Sequence, residues 1–257
     1  MPWIAPSHQA PALILKLWKP RWFSGLALVL GTIVPDLEFI VQMDGKWYVG
    51  HTLVGQIYFT VPVVVALYLL CVDLLIPWAL MYLPDGPPLY WHAVARQKRP
   101  QGTEWLGVAF SGCIGGLTHI FLDGFTHADR SGWAVARLAI LRKTLFGAPV
   151  YEELQVVLSI VLAFVSVWAW RRIVERSPEA RPAPRASQRA RVELLRWLAV
   201  CLSAGVVLAL GLRPHASFSL AIERGAYGAL TFLGLGFVLS ALARRLLRIP
   251  RGVAFES

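Results

Sequence analysis

Charge is scarce in this sequence. Only 15 of 257 residues are acidic, and charged residues of both signs make up 16%. A soluble domain is roughly a quarter charged and about 45–50% apolar. This chain is 56% hydrophobic, with a mean hydropathy of +0.56. The shortage excludes a soluble globular protein and predicts an integral membrane protein, at this length a single domain. Cysteine is as rare. Cys71, Cys113 and Cys201 each lie inside an apolar run, which excludes a disulfide framework and leaves them as small core residues. No basic residue precedes Lys16, so the positive-then-apolar order of a secretory signal is missing.

What the sequence has in quantity is Lys and Arg, 25 in all, for a net charge of +10. A nucleic-acid binder can be as basic. Here the basic residues fall between apolar runs, so membrane topology explains them and nucleic acid is not expected as a partner. A crossing helix needs about 20 apolar residues. Six runs qualify: 22–41, 52–73, 105–124, 153–170, 194–212 and 222–243. The second continues to Tyr82 past Asp73 and Pro77, where 74–82 reads as an interfacial extension. The expected fold is all-α: a polytopic bundle of about six transmembrane helices plus a short N-terminal helix. Ser111, Gly112, Gly115 and Gly116 give the third run small-xxx-small spacing, which admits a close neighbour.

Lys and Arg concentrate on the cytoplasmic side of membrane proteins. The stretch 16–21, the loops 83–104 and 171–193, and the tail with Arg244, Arg245, Arg248 and Arg251 are basic. They alternate with the less basic connections 42–51, 124–152 and 213–221. This predicts a cytoplasmic C-terminus. The connection 124–152 strains the rule, because it holds Arg130, Arg137, Arg142 and Lys143. The Pro-, Ala- and Arg-rich stretch 176–191 reads as a flexible linker touching anionic lipid. The organisation expected is a region 1–170 carrying the polar residues below, a basic linker 171–193, and a C-terminal pair of spans with its tail, 194–257.

The informative polar residues lie inside the apolar runs. In GGLTHIFLDGFTH, residues 115–127, His119, Asp123 and His127 recur every four residues and share one helical face. Asp36 stands fourteen residues beyond Trp22, and His119 fourteen beyond Trp105. At 1.5 Å per residue both reach about 21 Å into the membrane, at one depth. His51 opens the second crossing from the outer side. Tyr151, Glu152 and Gln155 open the fourth. His8 lies in SHQAPALILKLW, which predicts a short helix with Ser7 as N-cap. It joins the others if that helix dips from the outer side, and lies apart if the N-terminus is cytoplasmic. Membrane Asp and His residues pair, face water or bind metal, and an Asp with several His suits zinc or a similar divalent ion.

Each residue also has a plainer reading. Glu38 is either an interfacial carboxylate or catalytic. His127 either caps the third helix or ligates. His92 reads as solvated on the inner loop and His215 as part of an outer turn. Tyr151, Gln155 and Ser159 form a stripe suited to helix–helix hydrogen bonding.

Taken together, Ser7-His8, Pro35-Asp36-Leu37-Glu38, Gly50-His51, the run Thr118 to His127, and Tyr151 with Gln155 and Ser159 resemble an uncharacterised bacterial membrane family, a domain of unknown function. That family is similar to predicted inner-membrane metal-dependent hydrolases. The resemblance covers about residues 1–170 and implies a bacterial inner-membrane location. The order His, Asp, His, HxxxD also resembles zinc-dependent phospholipase C and the zinc nucleases, all-helical enzymes that cleave phosphodiesters. That likeness implies one metal held by Asp36, His51, His119 and Asp123, with Asp123 bridging to a second held by His8. Two departures stand: the chain starts Met1-Pro2-Trp3 where those enzymes use an N-terminal Trp amine, and their later ligands have no counterpart unless His127 with Glu152 or Glu153 serves.

The leading expectation is a membrane-embedded hydrolase using one or two divalent ions of the zinc type. Its metal ligands are His8, Asp36, His51, His119, Asp123 and His127, and Asp36 or Glu38 takes a proton from water. The substrate is a phospholipid or lipid-linked phosphoester met at the extracytoplasmic side. Two other classes remain open: a metal or proton transporter, and a scaffold stapled by metal. The inner halves 22–33 and 105–114 carry almost no ionisable group, which favours a one-sided pocket over a through-path.

Overall fold

A computed structural model describes residues 5–42, 49–82, 97–128, 131–177, 187–211 and 218–246, and the chain is mostly helical. A 3-10 turn over Ala5–His8 leads into α1 (Gln9–Trp18), followed by α2 (Gly25–Gln42) and a 3-10 turn at Val49–His51. Then come α3 (Gln56–Tyr82), α4 (Glu104–Thr126) and the short α5 (Trp133–Arg137). A hairpin of β1 (Thr144–Leu145) and β2 (Ala148–Pro149) precedes α6 (Val150–Glu175), α7 (Gln188–Gly211) and α8 (Phe218–Leu246). His92, His215, Arg96, Arg130, Arg181, Arg185 and the tail from residue 247 lie outside the described residues.

Among the described residues, α3, α4 and α6 are long and apolar enough to cross a membrane. They coincide with the second, third and fourth expected crossings. The other three runs also fold as helices: α2 covers the first, and α7 and α8 cover the last two. On α6, Val156, Val157, Ile160, Val161, Phe164, Val167 and Trp168 are exposed. A stripe of that size is tolerated in lipid and not in water. Glu152 and Glu153 at the start of α6 and Arg172 in its last turn complement the helix dipole.

Helix α3 reaches Tyr82 without interruption because its backbone widens twice. Gln56–Thr60 and Cys71–Leu75 are π-helical. Pro62 and Pro77 follow, each two residues on. A helical proline lacks the amide hydrogen and collides with the carbonyl four residues back. A wider turn relieves that collision and keeps the helix going.

The chain divides into two units. One comprises Met1–Glu38, Tyr48–Tyr68 and Arg99–Pro178, the other Phe39–Trp47, Leu69–Lys98 and Glu179–Ser257. In the first, the small residues of α4 do what their spacing predicts. A Cβ on Gly115 would run into the carbonyl oxygen of Leu28, and one on Gly31 into that of Gly112. On the neighbouring face, a Cβ on Gly112 would stand 2.7 Å from Val64 Cγ1. Helix α4 is thus pressed against the backbone of α2 and the start of α3, contact that only glycine permits. Ser111 Oγ accepts the Ser24 amide at 2.9 Å and donates to the Gly107 carbonyl at 2.6 Å. Lys16 closes the turn before α2 by donating to the carbonyls of Pro20 and Phe23 at 2.6 and 2.7 Å. Partial burial pushes its pKa below the ordinary lysine value.

One local expectation fails. His8, with φ −65° and ψ −18° and no side-chain cap, occupies the N-cap position of α1, so Ser7 is not its N-cap. The preceding 3-10 turn already has near-helical dihedrals, and no extended residue is left to fold a side chain back on the first amides.

In the second unit, Leu74, Trp78, Ala79 and Ala241 form a core, with Trp78 and Phe237 edge to face at 5.1 Å. Helices α7 and α8 approach closely: a Cβ on Gly205 would collide with the Gly228 carbonyl, and Trp197 Nε1 donates to the Gly236 carbonyl at 3.2 Å. Cys71, Cys113 and Cys201 are free thiols.

Candidate metal centre

Three elements of the first unit deliver four polar residues to one place. Helix α4 presents His119 and Asp123 one turn apart. Helix α2 presents Asp36 directly after Pro35, and the 3-10 turn before α3 presents His51. Asp36, His51, His119 and Asp123 each offer one donor atom, and the four atoms lie within 4.8 Å of one another. His119 Nε2 is 3.1 Å from Asp123 Oδ2 and 3.5 Å from Asp36 Oδ1. His51 Nε2 is 3.3 Å from Asp123 Oδ2 and 3.8 Å from Asp36 Oδ1.

These spacings fit a metal shell. Donors at 2.0–2.1 Å from a tetrahedral ion stand about 3.3 Å apart along the edges. The hydrogen-bonding census agrees. His119 is fully buried, yet neither ring nitrogen has a hydrogen-bond partner, and the buried Asp123 Oδ1 has none either. Buried polar atoms are rarely left so. A divalent cation would satisfy these converging atoms together, and two imidazoles with two carboxylates are a donor set such an ion takes.

Asp123 faces two ways. While Oδ2 meets His51 and His119, Oδ1 lies 3.2 Å from His8 Nε2 and 3.5 Å from His127 Nδ1. The His8 and His119 rings stand edge to face with centroids 4.2 Å apart. His8 therefore joins the cluster, which the sequence alone left open. His127 keeps both of its readings. It is the C-cap residue of α4, its amide donating to the Asp123 carbonyl at 3.1 Å, and its Nδ1 also lies 2.9 Å from Thr126 Oγ1. Tyr151 and Glu152 bond to each other in an exposed setting. Gln155 and Ser159 line a small cavity with Ser7, His8 and Thr126.

The match to known proteins extends beyond this cluster. Over residues 1–248 the sequence fits a domain of unknown function, DUF4184. The chain belongs to the DUF4184 family. No curated protein and no solved structure matches it. The DUF4184 match takes in α7 and all of α8 as well as the Asp–His cluster, further than the motifs of the first 170 residues reach.

Around its ligands this DUF4184 chain carries supporting groups, one of them missed by sequence reasoning. Glu38 is buried and is not among the four converging donors. Its Oε1 accepts the Gly50 amide at 2.7 Å. Gln56, fully buried, donates through Nε2 to the Gly50 carbonyl and, at 3.4 Å, to that of Thr52. Both peptide groups of Gly50 are thereby held, and His51 follows at once. Gly50 itself fits because a Cβ there would stand 2.9 Å from Pro35 Cα. The signal for Gln56 was legible as an amide at the mouth of an apolar run, five residues after His51, a spacing that does not put it on the histidine's face. Groups that orient metal ligands typically change affinity 10- to 100-fold when removed. If the cluster holds a divalent ion, replacing Glu38 or Gln56 with alanine is expected to weaken its binding by about that factor while Asp36, His51, His119 and Asp123 all stay. Competition with a chromophoric chelator measures it. Affinities within twofold of wild type in both variants would show that the clamp does not set His51.

Proposed function

We propose that this protein is a metal-dependent hydrolase of phospholipids or lipid-linked phosphoesters, embedded by six crossings in a bacterial inner membrane with its C-terminus in the cytoplasm. The carrying observation is the two-faced Asp123, with one oxygen among Asp36, His51 and His119 and the other beside His8 and His127. Asp36, His51, His119 and Asp123 would hold one divalent ion, zinc by the donor set. His8, His127 and the second Asp123 oxygen would hold another. Such ions supply Lewis acidity toward a phosphoryl oxygen and lower the pKa of a water in their shell to about 7.

The remaining work falls to the chain's own groups. The Asp36 side chain is 24% exposed, against 0% for His119 and 5% for Asp123. The cluster therefore opens on the Asp36 side, where a phosphoester would enter. Asp36 is the carboxylate placed to take a proton from water there. Glu38, with one oxygen committed to the Gly50 amide, acts through His51 as a positioning residue. Burial of His119 and Asp123 keeps them from bulk water, which strengthens charge interactions at the cluster.

The test is a panel of phospholipids and lipid-linked phosphoesters incubated with zinc- or manganese-loaded protein in detergent, with products read by mass spectrometry. Headgroup or phosphate release is expected, abolished by chelation and by His119→Ala. A metal-loaded wild type that cleaves nothing in the panel would overturn this reading. Metal flux into proteoliposomes in the same preparation would then favour transport.

A further inference from the structure

The connection between α4 and α6 is built with two unlike sides. Both helices are long and apolar enough to cross the membrane, so residues 127–149 join two ends that emerge at one face. The inner side is anchored. Ala134, Val135 and Leu141 are buried against Phe125, Val150, Tyr151 and Leu154. Trp133 lies over Gly124 and meets Phe121 and Phe125 ring to ring at 6.0 and 5.2 Å. The connection is thus fastened to the turn of α4 that carries Asp123.

The outer side is apolar and basic at once. Leu138, Ile140, Leu145 and Phe146 are exposed large hydrophobics. Arg137, Arg142 and Lys143 stand among them, exposed, with no ion-pair partner among the described residues. These are also the residues that break the charge rule for an outer connection.

The hairpin tip adds an independent observation. Thr144 pairs with Pro149 and Leu145 with Ala148, leaving Phe146 and Gly147 as a two-residue turn with φ of 47° and 98°. Asn-Gly is the ordinary choice for such a turn, because both central residues need positive φ. A phenylalanine there is strained, and its ring, 94% exposed, is left uncovered by the described residues. In water such a residue is unfavourable on both counts. In the interfacial region of a bilayer the ring is in its preferred medium.

We infer that residues 137–147 are seated in the lipid interface of the bilayer that holds α4 and α6. Leu138, Ile140, Leu145 and Phe146 reach the acyl boundary, while Arg137, Arg142 and Lys143 take the phosphates of anionic headgroups. The inference rests on the crossing of α4 and α6 and is independent of any hydrolytic activity. It holds the metal-bearing end of α4 at headgroup level.

The test uses the full chain in lipid nanodiscs, with and without phosphatidylglycerol. A nitroxide on Phe146→Cys, with Cys71, Cys113 and Cys201 replaced by serine, is expected to collide more with oxygen than with a water-soluble nickel chelate. The same label on Gln101→Cys, in the exposed turn before α4, is expected to show the reverse. Equal ratios at the two positions would overturn the seating. A second measurement keeps the native cysteines. Trypsin should cut after Arg142 and Lys143 several-fold more slowly in wild type than in Phe146→Asn, and phosphatidylglycerol should slow wild-type cleavage further. Equal rates in both proteins would overturn the apolar contact, and indifference to phosphatidylglycerol would overturn the headgroup contact.

Discussion

Replacing Asp123 with alanine is expected to empty the protein of divalent metal altogether, whereas replacing His8 or His127 should remove only part of it. The difference follows from which oxygen each partner meets. Asp123 Oδ2 faces His51 and His119, and Oδ1 faces His8 and His127. Loss of the whole carboxylate takes a charged donor from both shells and leaves neutral imidazoles with Asp36 alone. A fall of a thousandfold or more in affinity, about 4 kcal/mol, is the expected scale. His8→Ala leaves Asp36, His51, His119 and Asp123 in place and should keep the first equivalent. Mass-spectrometric metal content of detergent-purified protein, after loading and gel filtration, distinguishes these cases. Asp123→Asn sharpens the comparison, because an amide has one oxygen to offer and cannot bridge. Wild-type metal content in Asp123→Ala would remove the carboxylate from the centre of the site.

The second large effect concerns the scaffold. Gly115→Leu is expected to abolish folding of the first unit, and Gly31→Leu to do the same, while Gly107→Leu on the same helix as Gly115 should be tolerated. A side chain at 115 or 31 meets backbone carbonyls of the facing helix, which cannot rotate away, whereas one at 107 meets nothing within 4 Å. Overpacking a core usually costs about 1–3 kcal/mol, and forcing two backbones apart exceeds that range. Monodispersity in detergent and thermal unfolding are the readouts. A monodisperse Gly115→Leu protein melting near the wild-type temperature would show that α2 and α4 are not in backbone contact.

The residues that proved legible in the sequence are those whose chemistry is out of place in lipid. Asp36, His51, His119 and Asp123 stand out because an apolar run gives them no other reason to be there, and equal distances along two helices put Asp36 and His119 at one depth. The glycines of α4 were legible for the same kind of reason, a spacing with one mechanical meaning. His8 was legible as a candidate but not as to its side, because its placement depends on how α1 packs against α6, a long-range contact with no local signature. Glu38 and Gln56 could be seen as polar residues but not as a clamp, since their common partner is the backbone of Gly50, which a sequence of side chains does not display. The wide turns of α3 follow from Pro62 and Pro77 only once the helix is known to continue through them.

The clustered residues are strung along the first half of the chain, at positions 8, 36, 51, 119, 123 and 127, and they meet only in the finished fold. During synthesis the first three leave the ribosome before the others, and Asp36 and His51 lack His119 and Asp123 until α4 has packed beside α2. A nascent chain without α4 therefore lacks two of the four converging donors. Under the function proposed above, an ion would enter after that packing and from the Asp36 side, since the Asp36 side chain is 24% exposed while those of His119 and Asp123 are almost fully covered.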